Sequence, residues 1–353
     1  MKPLFDSPGI VVGRKGTLGN PIYSEGKFWA IDTTYAVIAR SEVDIKWLYY
    51  NFLNFDLTSL NEATGVPSIN RDYLYKVEFQ VFPLAEQHKI AEILTAVDEA
   101  IEQSVALIEK YQRVKQGLMQ DLLTRGVDEN GQLRPTREQV PHLYRQTELG
   151  WLPKTWGTTE LAKVATVKRG KFTPRPRNDP KYYGGVHPFI QTGEVAAANG
   201  RKISNHTQTL NELGSIVSRE FPEGTIVVTI AANIGETAIL AIPMYLPDSL
   251  VGIVIDRQYC VRYVEMVIRS NKGRFNATAP QSAQKNINLS DLRPMIIALP
   301  KRAEQDLIAN IYDSTENILI TKEKELAKLL RIKQGLMQDL LTGRVRVKDL
   351  LHQ

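Results

Sequence analysis

Five cations fall within ten positions: Lys168, Arg169, Lys171, Arg175 and Arg177. Cations at that density attract a polyanion through a salt-dependent affinity for phosphate that carries no sequence information. Arginine, asparagine and glutamine can do more, because each can form paired hydrogen bonds with a base edge: arginine with guanine, the two amides with adenine. Gln191, Thr192, Asn233, Gln281, Gln284 and Asn286 offer amides and a hydroxyl in loops beside strand-like runs, in company with Tyr182 and Lys285. A smaller basic pair, Arg14 and Lys15, sits in the turn after the strand-like Gly9–Val12. Any one of these is equally well a solvated surface group. As a set they point to nucleic acid. The aromatics Trp47, Tyr49, Tyr50 and Phe52 leave two readings open, bases stacked on them or the packing of a small domain.

No catalytic constellation accompanies these groups. A DNA methyltransferase of this general kind needs an Asn/Asp-Pro-Pro-aromatic loop, and Asn20-Pro21-Ile22 is the nearest approach to one. No GxxxxGK[ST] phosphate loop is present. The histidines, His88, His142, His187, His206 and His352, are too widely spaced to suggest a metal pair, so no metal site is expected. A single cysteine, Cys260, excludes a disulfide framework. With no secretory signal pattern and no run of 18 apolar residues, the expected location is the cytoplasm, away from membranes.

The elements that must position the basic and amide groups are organised by a repeat. Lys115–Thr124 reads KQGLMQDLLT, and Lys333–Thr342 reads the same ten residues, 218 positions later. At that offset Ala85–Thr124 and Ala303–Thr342 share 18 of 40 residues, beginning with Ala-Glu-Gln in both copies. Steps of four and three place Ile90, Leu94, Val97, Ile101, Ile108, Leu118 and Leu122 on one stripe of the first copy. The second copy places Ile308, Leu319, Leu326, Leu329, Leu336 and Leu340 likewise. Forty helical residues span ~60 Å, and a stripe that narrow needs a partner. The other copy is one candidate, and each helix lying on its own domain is the alternative. Gly117 and Gly335 interrupt the helices at matching places, either as copied residues or because a partner helix comes close. The repeat also reaches the flanking units. Ser68-Ile69-Asn70 matches Asn286-Ile287-Asn288, and Ile10-Val11-Val12 matches Ile226-Val227-Val228 at an offset of 216. The helices carry five and six basic residues against seven and seven acidic ones; the net charge of +5 therefore leaves +8 on the remainder. That excess suits polyanion binding.

In this arrangement, and in the phrases KQGLMQDLLT (twice), PLAEQHKIAEIL (Pro83–Leu94), IVVGRKGTLGN (Ile10–Asn20), PFIQTGEV (Pro188–Val195) and QKNINLSDL (Gln284–Leu292), the chain resembles the specificity subunit of type I DNA restriction-modification systems. The resemblance covers nearly the whole chain. It implies an α+β architecture: two globular mixed α/β target-recognition domains separated by a pair of long antiparallel coiled-coil helices that set the spacing of a split DNA site. It implies double-stranded DNA as ligand, two modification subunits that bind S-adenosylmethionine and methylate adenine, and two restriction subunits using ATP and Mg2+. None of those cofactors is expected on this chain. A stand-alone coiled-coil DNA-binding or scaffold protein is the alternative.

The expected boundaries are a first recognition domain at 1–82, a helix at 83–125, an irregular connector at 126–150, a second recognition domain at 151–300, a helix at 301–344 and a tail at 345–353. Because the strand Ile226–Val228 lies deep in the second unit while Ile10–Val12 opens the first, the first domain is expected to be shortened at its start. Short helices are expected at Lys46–Phe55 and Val261–Ser270, strand-like segments across Thr225–Val254, a β-rich run at Phe28–Arg40, an alternating strand at Val77–Val81, and a helix followed by a strand across Thr158–Val167.

Overall fold

The computed structural model describes residues 5–231, 233–278 and 287–351. They form two compact units, one from residues 1–110 with 319–353, the other from 111–318. Each is α+β.

In the first unit β1 (Gly9–Gly13) lies between β2 (Ile22–Ser24) and β3 (Thr34–Val37), antiparallel to both. Helix α1 (Ile45–Asn54) follows, its N-terminus capped by the Asp44 carboxylate accepting from Trp47 N at 2.6 Å. The short α2 (Arg71–Tyr75) and the 41-residue α3 (Leu84–Thr124) complete the leading segment. One face of α1 sends Phe52 into a core with Ile10, Val12 and Leu57. The other sends Trp47 and Tyr50 into a second core. Both of these side chains are 1% exposed, so the aromatic run is packing, and the base-stacking reading falls away.

The second unit holds the remaining strands: β4 (Tyr144–Thr147), β5 (Gly150–Pro153), β6 (Gly157–Glu160), β7 (Ala165–Arg169), β8 (Tyr183–Phe189), β9 (Lys202–Ile203), β10 (Gln208–Leu210), β11 (Glu220–Phe221), β12 (Ile226–Thr229), β13 (Thr237–Leu240), β14 (Met244–Tyr245), β15 (Leu250–Ile255) and β16 (Ile296–Leu299). A five-stranded sheet runs β7-β15-β12-β13-β9, and a four-stranded one β10-β8-β14-β11. Strand alternation sends Ile226 and Val228 to one face of the larger sheet and Val227 to the other, and all three are fully buried, so this sheet is covered on both sides. The helices are α4 (Thr192–Ala198), α5 (Glu212–Val217), α6 (Val261–Ser270), α7 (Lys272–Thr278), α8 (Leu289–Leu292) and the 40-residue α9 (Arg302–Leu341).

The internal repeat is a repeat of contacts. Ile69 N donates to Arg14 O at 3.0 Å, and its counterpart Ile287 N donates to Ile230 O at 3.1 Å. Gln87 accepts from Asp44 N at 2.8 Å and donates to Phe82 O at 2.7 Å; Gln305 accepts from Cys260 N and donates to Pro300 O, both at 2.9 Å. These two buried amides bolt α1 and α6 to the starts of α3 and α9. Glu86 binds Arg346 through two oxygens, and Glu304 binds Arg134 in the same way. Lys333 pairs with Asp98 at 2.6 Å in the first unit, and Lys115 with Glu316 at 2.5 Å in the second. The two lysine pairs join the same two repeat positions, whereas Arg346 and Arg134 are not equivalent in the repeat. In each unit, therefore, the start of one long helix runs antiparallel to the end of the other. The three strands of the first unit match β13-β12-β15. Among the described residues it has no counterpart of the flanking β7 and β9.

Ile90, Leu94, Ile108, Leu122, Ile308, Leu319 and Leu340 are buried; Val97, Ile101, Leu118, Leu326, Leu329 and Leu336 are half-buried. Leu122 and Ile308 join the second unit's core, while Ile90, Leu94 and Leu340 join the α1 core of the first. The helix ends are thus gripped by globular structure as well as by each other.

Four local expectations are corrected, and one open alternative is decided. Thr158–Val167 is not a helix and strand but β6, a single 3-10 turn and β7, because β6 pairs with β16 from far along the chain. Val77–Val81 forms no strand, and only Thr34–Val37 of the β-rich run Phe28–Arg40 does. The irregular connector contains β4 and leads straight into β5, with which it forms a hairpin. Gly117 and Gly335 face open space, so no close helix contact among the described residues requires them.

The amide bolt gives a first prediction. Gln305→Ala leaves Cys260 N and Pro300 O buried without partners. At ~1–3 kcal/mol for each orphaned group, a loss of roughly 2–6 kcal/mol is expected in chemical denaturation. A loss below about 1 kcal/mol would mean that water replaces the amide.

Candidate nucleic-acid interface

The basic segment is an anchored loop. It leaves β7 and crosses the turn between β14 and β15, where Gly170 N donates to Leu250 O and Lys171 N to Leu246 O, both at 2.8 Å. A Cβ on Gly170 would lie 2.1 Å from Pro247 O, so only glycine permits this approach. Phe172 then enters a small core with Phe189 and Leu210. The loop is held at both ends before any ligand arrives.

Within it the five cations differ. Arg169 donates through Nε to the Asp248 carbonyl, and Arg219 donates to the Arg169 carbonyl. Arg175 Nη1 donates to Phe172 O at 3.1 Å and Pro174 O at 2.7 Å, while its Nη2 reaches Asp248 Oδ2 at 3.3 Å. Arg177 Nη2 lies 2.8 Å from Asp248 Oδ1 and 2.9 Å from Oδ2. Lys168 and Lys171 are exposed, with no side-chain partner among the described residues.

Tyr182 is tied to this loop. Its ring meets Phe172 edge-on at 6.1 Å, with Lys181 Nζ 5.0 Å from its centroid. Gln191 caps α4 and donates to Gln208 Oε1 at 3.1 Å, and Thr192 is the first residue of that helix. No hydrogen bond or ion pair among the described residues joins those two to the loop. Asn233 is exposed in the β12–β13 turn, its carbonyl accepting from the Thr229 hydroxyl. Arg14 and Lys15 occupy the matching turn after β1, where Arg14 donates to Asp32 O at 3.1 Å and stands 5.9 Å from the Tyr35 ring centre. Gln281, Gln284, Lys285 and Asn286 lie outside the described residues. Asp248, Arg219, Lys181 and Gln208 belong to the neighbourhood but carry no local motif. Only the topology brings Asp248 to arginines more than 70 positions earlier.

The second unit is joined to α9 by a buried charge cluster. Glu316, 3% exposed, receives Lys115, Arg201 at 2.7 Å and, at 3.9 Å, Arg262. Arg262 and Arg269 both clasp Glu265, which also accepts from the Thr237 hydroxyl at 2.6 Å. Burial raises the Glu316 carboxyl pKa, but Lys115 and Arg201 outweigh it and hold the group below its ordinary value. Cys260 is buried, and burial pushes its thiol up. Among the described residues no group of three His, Cys, Asp or Glu could hold a metal ion, and no helix is long and apolar enough to cross a membrane.

A loop with free and clasped cations, set on a rigid sheet edge, can bind phosphate and present oriented donors. The family model described as type I restriction modification DNA specificity domain matches residues 2–110 and 153–331. The chain is 26% identical over 357 residues to the type I restriction enzyme MjaVIII specificity subunit of Methanocaldococcus jannaschii, covering 97% of this chain and 77% of that one. It is 25% identical over 319 residues to the putative MjaX specificity subunit of the same organism, with 88% and 70% covered. To the EcoBI specificity subunit of Escherichia coli it is 23% identical over 363 residues, with 96% and 73% covered. Among solved structures, the type I restriction-modification S subunit from M. genitalium aligns with a TM-score of 0.61 at 18% identity, with 96% and 84% covered, a likeness of fold.

Proposed function

The chain belongs to the type I restriction-modification DNA specificity family, and from that premise we propose how the labour is divided. The chain is a sequence-specific DNA-recognition subunit of a restriction-modification complex. It supplies recognition and no chemistry. Two modification subunits carry S-adenosylmethionine and methylate adenine, and two restriction subunits use ATP and Mg2+; the target is a split site. The observation that carries this reading is the basic loop of the second unit, pinned through Gly170, Lys171 and Phe172 so that its cations face solvent from a rigid support. A stand-alone DNA-binding scaffold gains no support from the family match.

The test is methyl transfer to duplex DNA in the presence of S-adenosylmethionine. The purified chain alone is expected to transfer nothing. With its modification subunit, methylated adenines should fall in a single sequence motif. Transfer by the chain alone, or methylation without sequence preference in the complex, would refute this division.

A further inference from the structure

Asp248 stands among cations that, on a phosphate-binding loop, would be expected to keep their full charge. Phosphate affinity needs only positive charge and gains nothing from a carboxylate beside it. Lys168 and Lys171 meet that description. Arg177 does not. Its Nη2 donates to Asp248 Oδ2 at 2.9 Å and lies 2.8 Å from Oδ1, and its carbonyl accepts from the Tyr183 hydroxyl at 2.5 Å, so both side chain and backbone are held. Its side chain is nevertheless 50% exposed, and Nε, Nη1 and the second N–H of Nη2 meet no acceptor among the described residues, which leaves one two-donor edge of the guanidinium free. A carboxylate that clasps a guanidinium weakens its attraction for phosphate but fixes the plane of its donor fork. An oriented fork is what paired hydrogen bonds to the O6 and N7 of guanine require. Arg175, whose Nη1 is tied to two loop carbonyls, reaches the same carboxylate through Nη2 at 3.3 Å.

We infer that Arg177 reads a guanine in the half-site taken by the second unit, and that Asp248 is its positioning residue. This rests on the DNA-recognition reading above. Arg177 is then a specificity determinant, and Lys168 and Lys171 supply the affinity that ignores sequence.

The test presents the full chain, assembled with its modification subunit, with a pool of randomised duplexes, and sequences the bound fraction. Arg177→Lys keeps the charge and loses the fork. It is expected to bind unselected duplexes within about twofold of the parent, while preference at one G·C pair falls by on the order of tenfold or more. Asp248→Asn should lower preference at the same pair, with affinity for unselected duplexes unchanged or higher because a negative charge is gone. Thermal midpoints keep a folding defect separate, since a misfolded unit would lose preference at every position. If both variants select the parent motif at full strength, or if Arg177→Lys weakens all duplexes equally, the inference is overturned. A parent complex that selects no motif would instead strike the DNA-recognition reading itself.

Discussion

Glu316→Ala is expected to cost about 3–5 kcal/mol of folding stability, because it removes the carboxylate that Lys115 and Arg201 face at a buried site, while Arg262 keeps Glu265 and Asp313. Lys115 Nζ stands 2.5 Å and Arg201 Nε 2.7 Å from the carboxylate that would be removed, with Arg262 behind them. Asp98→Ala, at the matching place in the first unit, should cost less, about 1 kcal/mol, since Asp98 is 26% exposed and faces one lysine. The pH dependence has a definite sign. A carboxyl held below its ordinary value contributes fully above about pH 4.3, its unfolded value. That contribution is lost as pH falls through the lower, folded value. Denaturant titrations at neutral and acid pH should show the difference between parent and Glu316→Ala shrinking below about pH 4.3. A difference that is constant with pH would mean that Glu316 acts through packing alone.

Leu122→Asp combined with Leu340→Asp should prevent folding of both units. The two leucines hold the same place in the duplicated ten-residue phrase and are 0% and 4% exposed, each in the core of a different unit. Burying an unpaired carboxylate costs several kcal/mol at each site, against a total stability of ~5–15 kcal/mol. Leu118 and Leu336, one turn earlier, are half-buried and should tolerate aspartate better. Circular dichroism of the two double variants decides this. Equal damage from both pairs would show that the helices bury a uniform stripe and are not gripped at their ends.

The long helices were legible because duplication wrote their pattern twice and a seven-residue spacing survives in each. Lys115 and Lys333 fall on the same four-and-three spacing as the apolar stripe. They are half of a repeated ion pair whose acids, Asp98 and Glu316, differ in residue type between the copies. The short helices α1 and α6 were legible from their apolar content, although only the packing on two faces of α1 decided what its aromatics do. β6 was not legible: Thr158 and Thr159 become a strand because Ala298 and Ile297 lie opposite them, and no local signal reports a partner so distant. The basic loop could be read as basic. Its division into clasped and free cations could not, because Asp248 lies more than 70 positions later, in the turn before β15, and only the pairing of β15 with β7 brings it there.

The first unit draws on residues 1–110 and 319–353, and the second is continuous from 111 to 318. A ribosome therefore delivers everything the second unit needs before it delivers the closing helix of the first. At ~5–20 residues per second, the leading strands and α1 wait on the order of 10–40 s for residue 319 and beyond. During that interval Trp47, Tyr50 and Phe82 lack the apolar residues Met337, Leu340 and Leu341 that later cover them. Glu86 lacks Arg346, which lies 260 positions away. The unit whose strands are made earlier is the one that finishes folding last, and its nascent α1 surface is where a chaperone would find purchase.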